Sequence, residues 1–221
     1  TQADTVLPLA ASLVMIALLY TTNMAYGYFV ESRSKRQFTE LFGQYVPPEL
    51  VDKMAEDPEQ YTMEGKSEDL TVLFSDIVGF TSISEALEPR DLAAFINEYL
   101  TSMSLVIQDH GGTLDKYIGD AIMAFWGAPV VDANHAVHAV TAGLKMQVEL
   151  QRINREIVAP RGWPEIHIGI GLNSGVMRVG DMGSKIRRAY TVMGDPVNLG
   201  SRLEGLTRVY GVGILVGEET R

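Results

Sequence analysis

Two runs of strand-forming residues, Thr113-Leu114-Asp115-Lys116-Tyr117-Ile118 and Ala121-Ile122-Met123-Ala124-Phe125-Trp126, are separated only by Gly119-Asp120. A two-residue Gly-Asp link between such runs predicts a tight β-hairpin. Helical patterns flank it on both sides. From Pro89, the residues Leu92, Phe95, Ile96, Tyr99 and Met103 fall on one stripe until His110-Gly111-Gly112 stops the pattern, and a second helix is expected from about Asn134 to Ile157. Leu70–Ile77 reads as a strand closing before Gly79. Further strands are expected near Ile166–Asn173 and Val176–Asp181, then a helix over Val197–Thr207 and a strand opening at Gly213–Val216. The order β-α-β-β-α-β predicts an α+β fold, a ferredoxin-like βαββαβ sandwich with extra elements.

The first third of the chain reads differently. No charged residue occurs from Thr5 to Val30, and Leu7–Tyr20 is mostly apolar, so residues 1–30 are expected to form one transmembrane helix. Tyr26, Tyr28 and Phe29, followed by Arg33, Lys35 and Arg36, resemble an interfacial belt with a positive cytoplasmic flank, which places the remainder in the cytosol. In residues 31–66, Phe38, Leu41, Phe42 and Tyr45 share one helical face before Pro47-Pro48, the pattern of an amphipathic connector. Residues 67–221 form the main domain. Because the chain opens on Thr1, the sequence reads as a piece of a longer protein, with any sensor domain upstream.

Charge and composition narrow the chemistry. Eighteen basic against 28 acidic residues give a formal charge of −10, and no basic patch offsets it, so nucleic acid is not an expected partner. The absence of cysteine excludes disulfides, thiolate metal sites and a cysteine nucleophile. Ser174-Gly175 lacks the surrounding glycines of a nucleophile elbow, and His135 and His138, three apart on a helix, have no third ligand motif beside them.

Two carboxylates stand out because each closes an apolar strand: Asp76 in Phe74-Ser75-Asp76-Ile77, and Asp120 at the hairpin tip. If their strands are neighbours, both acids project at one edge, a hard-oxygen pair suited to Mg²⁺, which completes its shell with phosphate and water. Each also has a plain reading as a turn former. The stretch Asp76–Thr81 sets the backbone amides of Gly79, Phe80 and Thr81 near a helix start, where phosphate oxygens can be held, although it is not a Walker A loop.

Three strings then carry a resemblance. Phe74-Ser75-Asp76-Ile77-Val78-Gly79-Phe80-Thr81, Asp115-Lys116-Tyr117-Ile118-Gly119-Asp120, and Tyr190-Thr191-Val192-Met193-Gly194-Asp195-Pro196-Val197-Asn198-Leu199-Gly200-Ser201-Arg202-Leu203-Glu204 resemble, in order, the signature blocks of bacterial class III nucleotidyl cyclases. The likeness covers roughly Phe42 to Arg221, and the helix and connector before it look like the exit from a sensor domain of the CHASE2 type.

The resemblance implies an adenylate cyclase converting ATP to 3′,5′-cyclic AMP and pyrophosphate. Asp76 and Asp120 would hold two Mg²⁺ or Mn²⁺ ions. Lys116 and Thr191 would read adenine, with Lys116 donating to N1 and Thr191 accepting from the N6 amino group. Asn198 and Arg202, four apart on one helix, would orient the ribose and stabilise charge on the phosphate. The metal-binding and base-reading halves of each site would come from different chains of a homodimer. Members of the family usually continue beyond this chain's last strand and supply a phosphate-binding lysine there, so the domain reads as C-terminally incomplete. A guanylate cyclase of the same fold and an inactive nucleotide-binding or dimerisation module are the alternatives.

Overall fold

The structure, a computed structural model, describes residues 11–26 and 65–221 apart from 185 and 187. Helix α1 covers 11–26 and is exposed along its whole length. Its Thr21 hydroxyl donates to the carbonyl of Ala17 at 2.8 Å, and that of Thr22 to Leu18, so these polar residues satisfy themselves within the helix. At 1.5 Å per residue its sixteen residues span about 24 Å. Among the described residues no helix is long and apolar enough to cross a membrane. The transmembrane helix expected over residues 1–30 is therefore not shown, and the connector expected over 31–66 lies almost wholly outside the described residues.

From Lys66 onward the βαββαβ order holds. The elements are β1 (Lys66–Ile77), α2 (Phe80–Ala86), α3 (Pro89–Asp109), β2 (Thr113–Ile118), β3 (Ala121–Trp126), α4 (His135–Ile153), β4 (Ile168–Gly183), β5 (Arg188–Met193), α5 (Asp195–Tyr210) and β6 (Ile214–Val216). The sheet order is β2-β3-β1-β4-β5, with β6 parallel to β4 and every other pairing antiparallel. Its first four strands stand in the ferredoxin-like arrangement.

The period-two alternation of β1 sorts the core into two layers. Leu73 and Ile77 point to the α3/α4 side and pack with Phe95, Tyr99, Met103, Trp126, Met146 and Leu150. Leu70, Val72 and Phe74 point the other way, toward Met177, Val179, Tyr190 and Val197. Trp126 is fully buried, and its indole N–H is satisfied by the carbonyl of His110 at 2.9 Å. Burying such a ring without that partner would be costly.

Three elements differ from the sequence expectation. The strands expected on either side of Ser174-Gly175 are one sixteen-residue strand, β4, because β1 pairs with it continuously from Ile168 to Val179, across Ser174 and Gly175, and β5 pairs with its end from Arg178. The segment Arg188–Met193, for which the sequence predicted no strand, is the edge strand β5. Helix α5 is longer than Val197–Thr207: Pro196 sits in its first turn, where no amide donor is needed, and Gly211 ends it at φ +64°.

Helix α5 lies almost directly on the sheet. A Cβ on Gly171 would come within 2.2 Å of the Glu204 nitrogen and 2.4 Å of the Gly200 carbonyl oxygen, so only glycine permits this approach. The consequence is positional. Asp76 shares the α5-facing side of β1 with Val72 and Phe74, and the close helix brings Glu204 and Arg208 over it.

Candidate active site

Asp76 sits at the last turn of β1 before Gly79, and Asp120 in the tight turn joining β2 to β3. Pairing of Ser75 with Ile122 brings these two ends together. The Ile77 amide donates to Asp120 Oδ2 at 3.2 Å, which fixes the turn carboxylate against the strand that carries Asp76. Burial, followed by hydrogen bonding and charge from the neighbouring Asp76 carboxyl, raises the Asp120 pKa to about 6 against the opposing pull of the amides of Asp120 and Ile77. The two acids thus converge, as the sequence reading required.

Cationic compensation comes from helix α5. Arg208 forms an ion pair with Asp76 and reaches Glu204 Oε1 at 3.4 Å. Burial pushes the Glu204 carboxyl up against the pull of Arg208, and Asp76 adds to the rise. Beneath the pair, burial holds the Tyr99 hydroxyl well above the usual phenol range, and both aspartates contribute. Acidic charge therefore accumulates at this edge with one arginine facing it.

The donor set fits a divalent cation of the Mg²⁺ type. Two carboxylates held within hydrogen-bonding range resist ionising together, and a shared cation relieves that repulsion. Among the described residues no three His, Cys, Asp or Glu side chains gather as a metal cage. Two carboxylates are what Mg²⁺ takes when substrate phosphates supply further oxygens. Beside them Gly79 adopts φ +71° as the cap of α2, a conformation that favours glycine, and a Cβ there would meet nothing within 4 Å. The turn is thus open where Phe80 and Thr81 begin the helix.

A second cluster joins the two edges of the sheet. Lys116 on β2 donates to the Thr191 hydroxyl on β5 at 3.1 Å. Thr191 is buried, whereas the Lys116 side chain is 43% exposed, so the ammonium can meet a ligand. Asn198 and Arg202 are both exposed, one turn apart on α5, and among the described residues neither has a side-chain partner. Among the described residues no hydrogen bond or ion pair within the chain links Asp76 and Asp120 to Lys116, Thr191, Asn198 or Arg202.

Sequence reasoning missed Asp115, Glu204 and Arg208 as members of these clusters. Glu204 and Arg208 carried a legible signal as an i,i+4 opposite-charge pair on a helix. Asp115 did not, because strand alternation places it on the opposite face from Lys116.

Residues 62–220 match the family described as the Adenylate and Guanylate cyclase catalytic domain. The chain belongs to this family. It is 39% identical over 174 residues to Adenylate cyclase 1 of Rhizobium meliloti (strain 1021), covering 79% of this chain but 26% of that longer protein. Among solved structures, the adenylyl cyclase CyaB from P. aeruginosa superposes with a TM-score of 0.66 at 39% identity, covering 71% of this chain and 80% of that one. The guanylyl cyclase Cya2 gives a TM-score of 0.65 at 38% identity, over 71% and 78% of the two chains. Overall likeness does not separate the two activities in this cyclase domain. Any separation must come from the residues that meet the base.

Proposed function

We propose that this cyclase domain is an adenylate cyclase, forming 3′,5′-cyclic AMP and pyrophosphate from ATP. The observation that carries the reading is the Lys116–Thr191 pair. Lys116 is a donor only and suits the unprotonated N1 of adenine, whereas guanine presents N1–H there. Thr191 can accept from the N6 amino group. The similarity to an adenylate cyclase from Rhizobium and to a solved adenylyl cyclase supports the same choice.

The reaction is attack of the ribose 3′-oxygen on the α-phosphorus, with pyrophosphate leaving in line. Asp76 and Asp120 would hold two Mg²⁺ or Mn²⁺ ions. Bound there, such ions supply Lewis-acid stabilisation of the phosphate charge and acidify the 3′-hydroxyl. Asn198 holds the ribose, and Arg202 sets a fixed positive charge against the charge developing on the phosphate. Gly79, Phe80 and Thr81 offer the turn beside the triphosphate. Since no hydrogen bond or ion pair within the chain joins Asn198 and Arg202 to the two acids, we infer a homodimer whose sites take the carboxylates from one subunit and the base-reading group from the other.

In the longer protein the domain would sit on the cytoplasmic side of a bacterial cell membrane. The uncharged Thr5–Val30 stretch would serve as lipid anchor, and a sensor would lie upstream. The deciding experiment measures kcat/KM for ATP and GTP side by side with Mn²⁺ or Mg²⁺. Preference for ATP is expected, and preference for GTP overturns the reading in favour of guanylate cyclase.

A further inference from the structure

Asp115 precedes Lys116 on β2, yet its side chain is fully shielded while that of Lys116 is 43% exposed. The register of β2 against β3 breaks between Leu114 and Lys116, a bulge at Asp115. Bulges re-aim side chains, and they concentrate beside active sites. Here the carboxylate faces β5, across from the opposite edge of the sheet. The Thr191 hydroxyl donates to Asp115 Oδ2 at 2.5 Å. Oδ1 lies 3.0 Å from Lys116 Nζ, an ion-pair distance without hydrogen-bond alignment. Burial pushes the Asp115 carboxyl up in pKa, and its contacts with Thr191, Lys116 and the Val192 amide work against that.

We propose that Asp115 is a positioning residue that commits the Thr191 hydroxyl to the acceptor role and thereby sets the preference for adenine. The inference rests on the reading that Lys116 and Thr191 meet the base. A hydroxyl has one proton and two lone pairs. The Thr191 proton goes to Asp115, one lone pair takes the Lys116 N–H at 3.1 Å, and the second lone pair is left for a ligand. Adenine N6–H fills that place. The 6-oxo group of guanine or hypoxanthine is an acceptor, and to donate to it Thr191 must withdraw its proton from a buried carboxylate, which is costly.

A threonine lacking this tether turns its hydroxyl to suit either base. Thr191 alone is therefore ambivalent, and the selectivity resides in the Asp115–Thr191 pair. The same pairing carries no information about the metal carboxylates, so its loss leaves the chemical step nearly intact.

The test compares kcat/KM for ATP and inosine triphosphate, which lacks the 2-amino group and differs from ATP only at N1 and the 6-position, so that the dependence on the Thr191 hydroxyl singles out the 6-position. It uses the full chain and its variants Asp115→Asn, Asp115→Ala, Thr191→Val and the two double variants. Asparagine can present its carbonyl to Thr191 or its amide, whereas alanine removes the acceptor and also relieves the burial of a charge, so one variant covers the other if folding fails. Melting curves and gel filtration establish that each is folded and dimeric.

Asp115→Ala is expected to lower the ATP:ITP ratio at least tenfold through KM, with kcat on ATP within about threefold of the parent, while in a Thr191→Val background the same change moves the ratio less than twofold. An unchanged ratio in folded Asp115 variants overturns the proposal, as does an equal effect with and without the Thr191 hydroxyl. A parent protein that does not prefer ATP over ITP instead overturns the adenine reading itself.

Discussion

Arg208 on α5 pairs with Asp76 at the end of β1, holding a cation against one of the two carboxylates that would bind metal. Helix α5 can place it there because Gly171 lets the helix backbone touch the sheet. The arginine therefore competes with any divalent ion for Asp76. Its side chain is 44% exposed, and a pair of that exposure contributes up to about 1 kcal/mol.

Replacing Arg208 with Gln should accordingly tighten Mn²⁺ binding roughly two- to fivefold. Titration of free Mn²⁺ by electron paramagnetic resonance, without nucleotide, measures this directly. Unchanged or weaker binding in the variant would show that the arginine supports the metal site instead of competing with it.

The pH dependence follows from Asp120, whose folded pKa is raised to about 6 by burial and by Asp76. Between the unfolded carboxylate value of about 4 and that figure, the folded state binds more protons than the unfolded state. Stability of the metal-free protein should therefore fall as pH rises through about 4 to 6, and Asp120→Asn should flatten that dependence in thermal melts. Divalent metal needs the ionised acid, so Mn²⁺ affinity should drop about tenfold per pH unit below 6. A metal affinity flat from pH 7 to 5 would contradict the coupled pair.

Gly171→Ala tests the seating of α5. The added methyl would meet main-chain atoms of Glu204 and Gly200 at 2.2 and 2.4 Å, which a rotamer change cannot relieve. Overpacking of this kind costs about 1–3 kcal/mol, and the melting temperature should fall by several degrees. Because the displaced helix carries Asn198 and Arg202 as well as Arg208, cyclase activity should fall more than stability alone explains. An activity loss that tracks only the unfolded fraction would separate the helix seating from the site.

The hairpin and the stripe Leu92, Phe95, Ile96, Tyr99 and Met103 were legible in the sequence because turn chemistry and helical periodicity are local. Asp76 and Asp120 were legible for the same reason, each ending an apolar strand. What the sequence hid was set by long-range pairing. Strand β4 runs through Ser174-Gly175 because β1 pairs with it without interruption from Ile168 to Val179, overriding the break that glycine suggests. The inward turn of Asp115 depends on a bulge against β3, and the reach of Arg208 to Asp76 on a glycine contact between distant segments. Neither leaves a periodic trace.

The proposed division of each site between two chains gives the most stringent prediction. Asp76→Ala removes one of the two proposed metal ligands, and Arg202→Ala removes a charge from an exposed helix position with little effect on folding. Each variant alone should lose about 10²- to 10³-fold in kcat. If one subunit supplies the carboxylates and its partner the arginine, a heterodimer of the two variants contains one doubly damaged site and one intact site. Random reassociation of an equal mixture puts half of the dimers in that form, so about a quarter of the parent activity should return. A mixture no more active than its separate components, under conditions where mass spectrometry shows subunit exchange, would mean that both residues serve the same half of the site and that the proposed dimer is wrong.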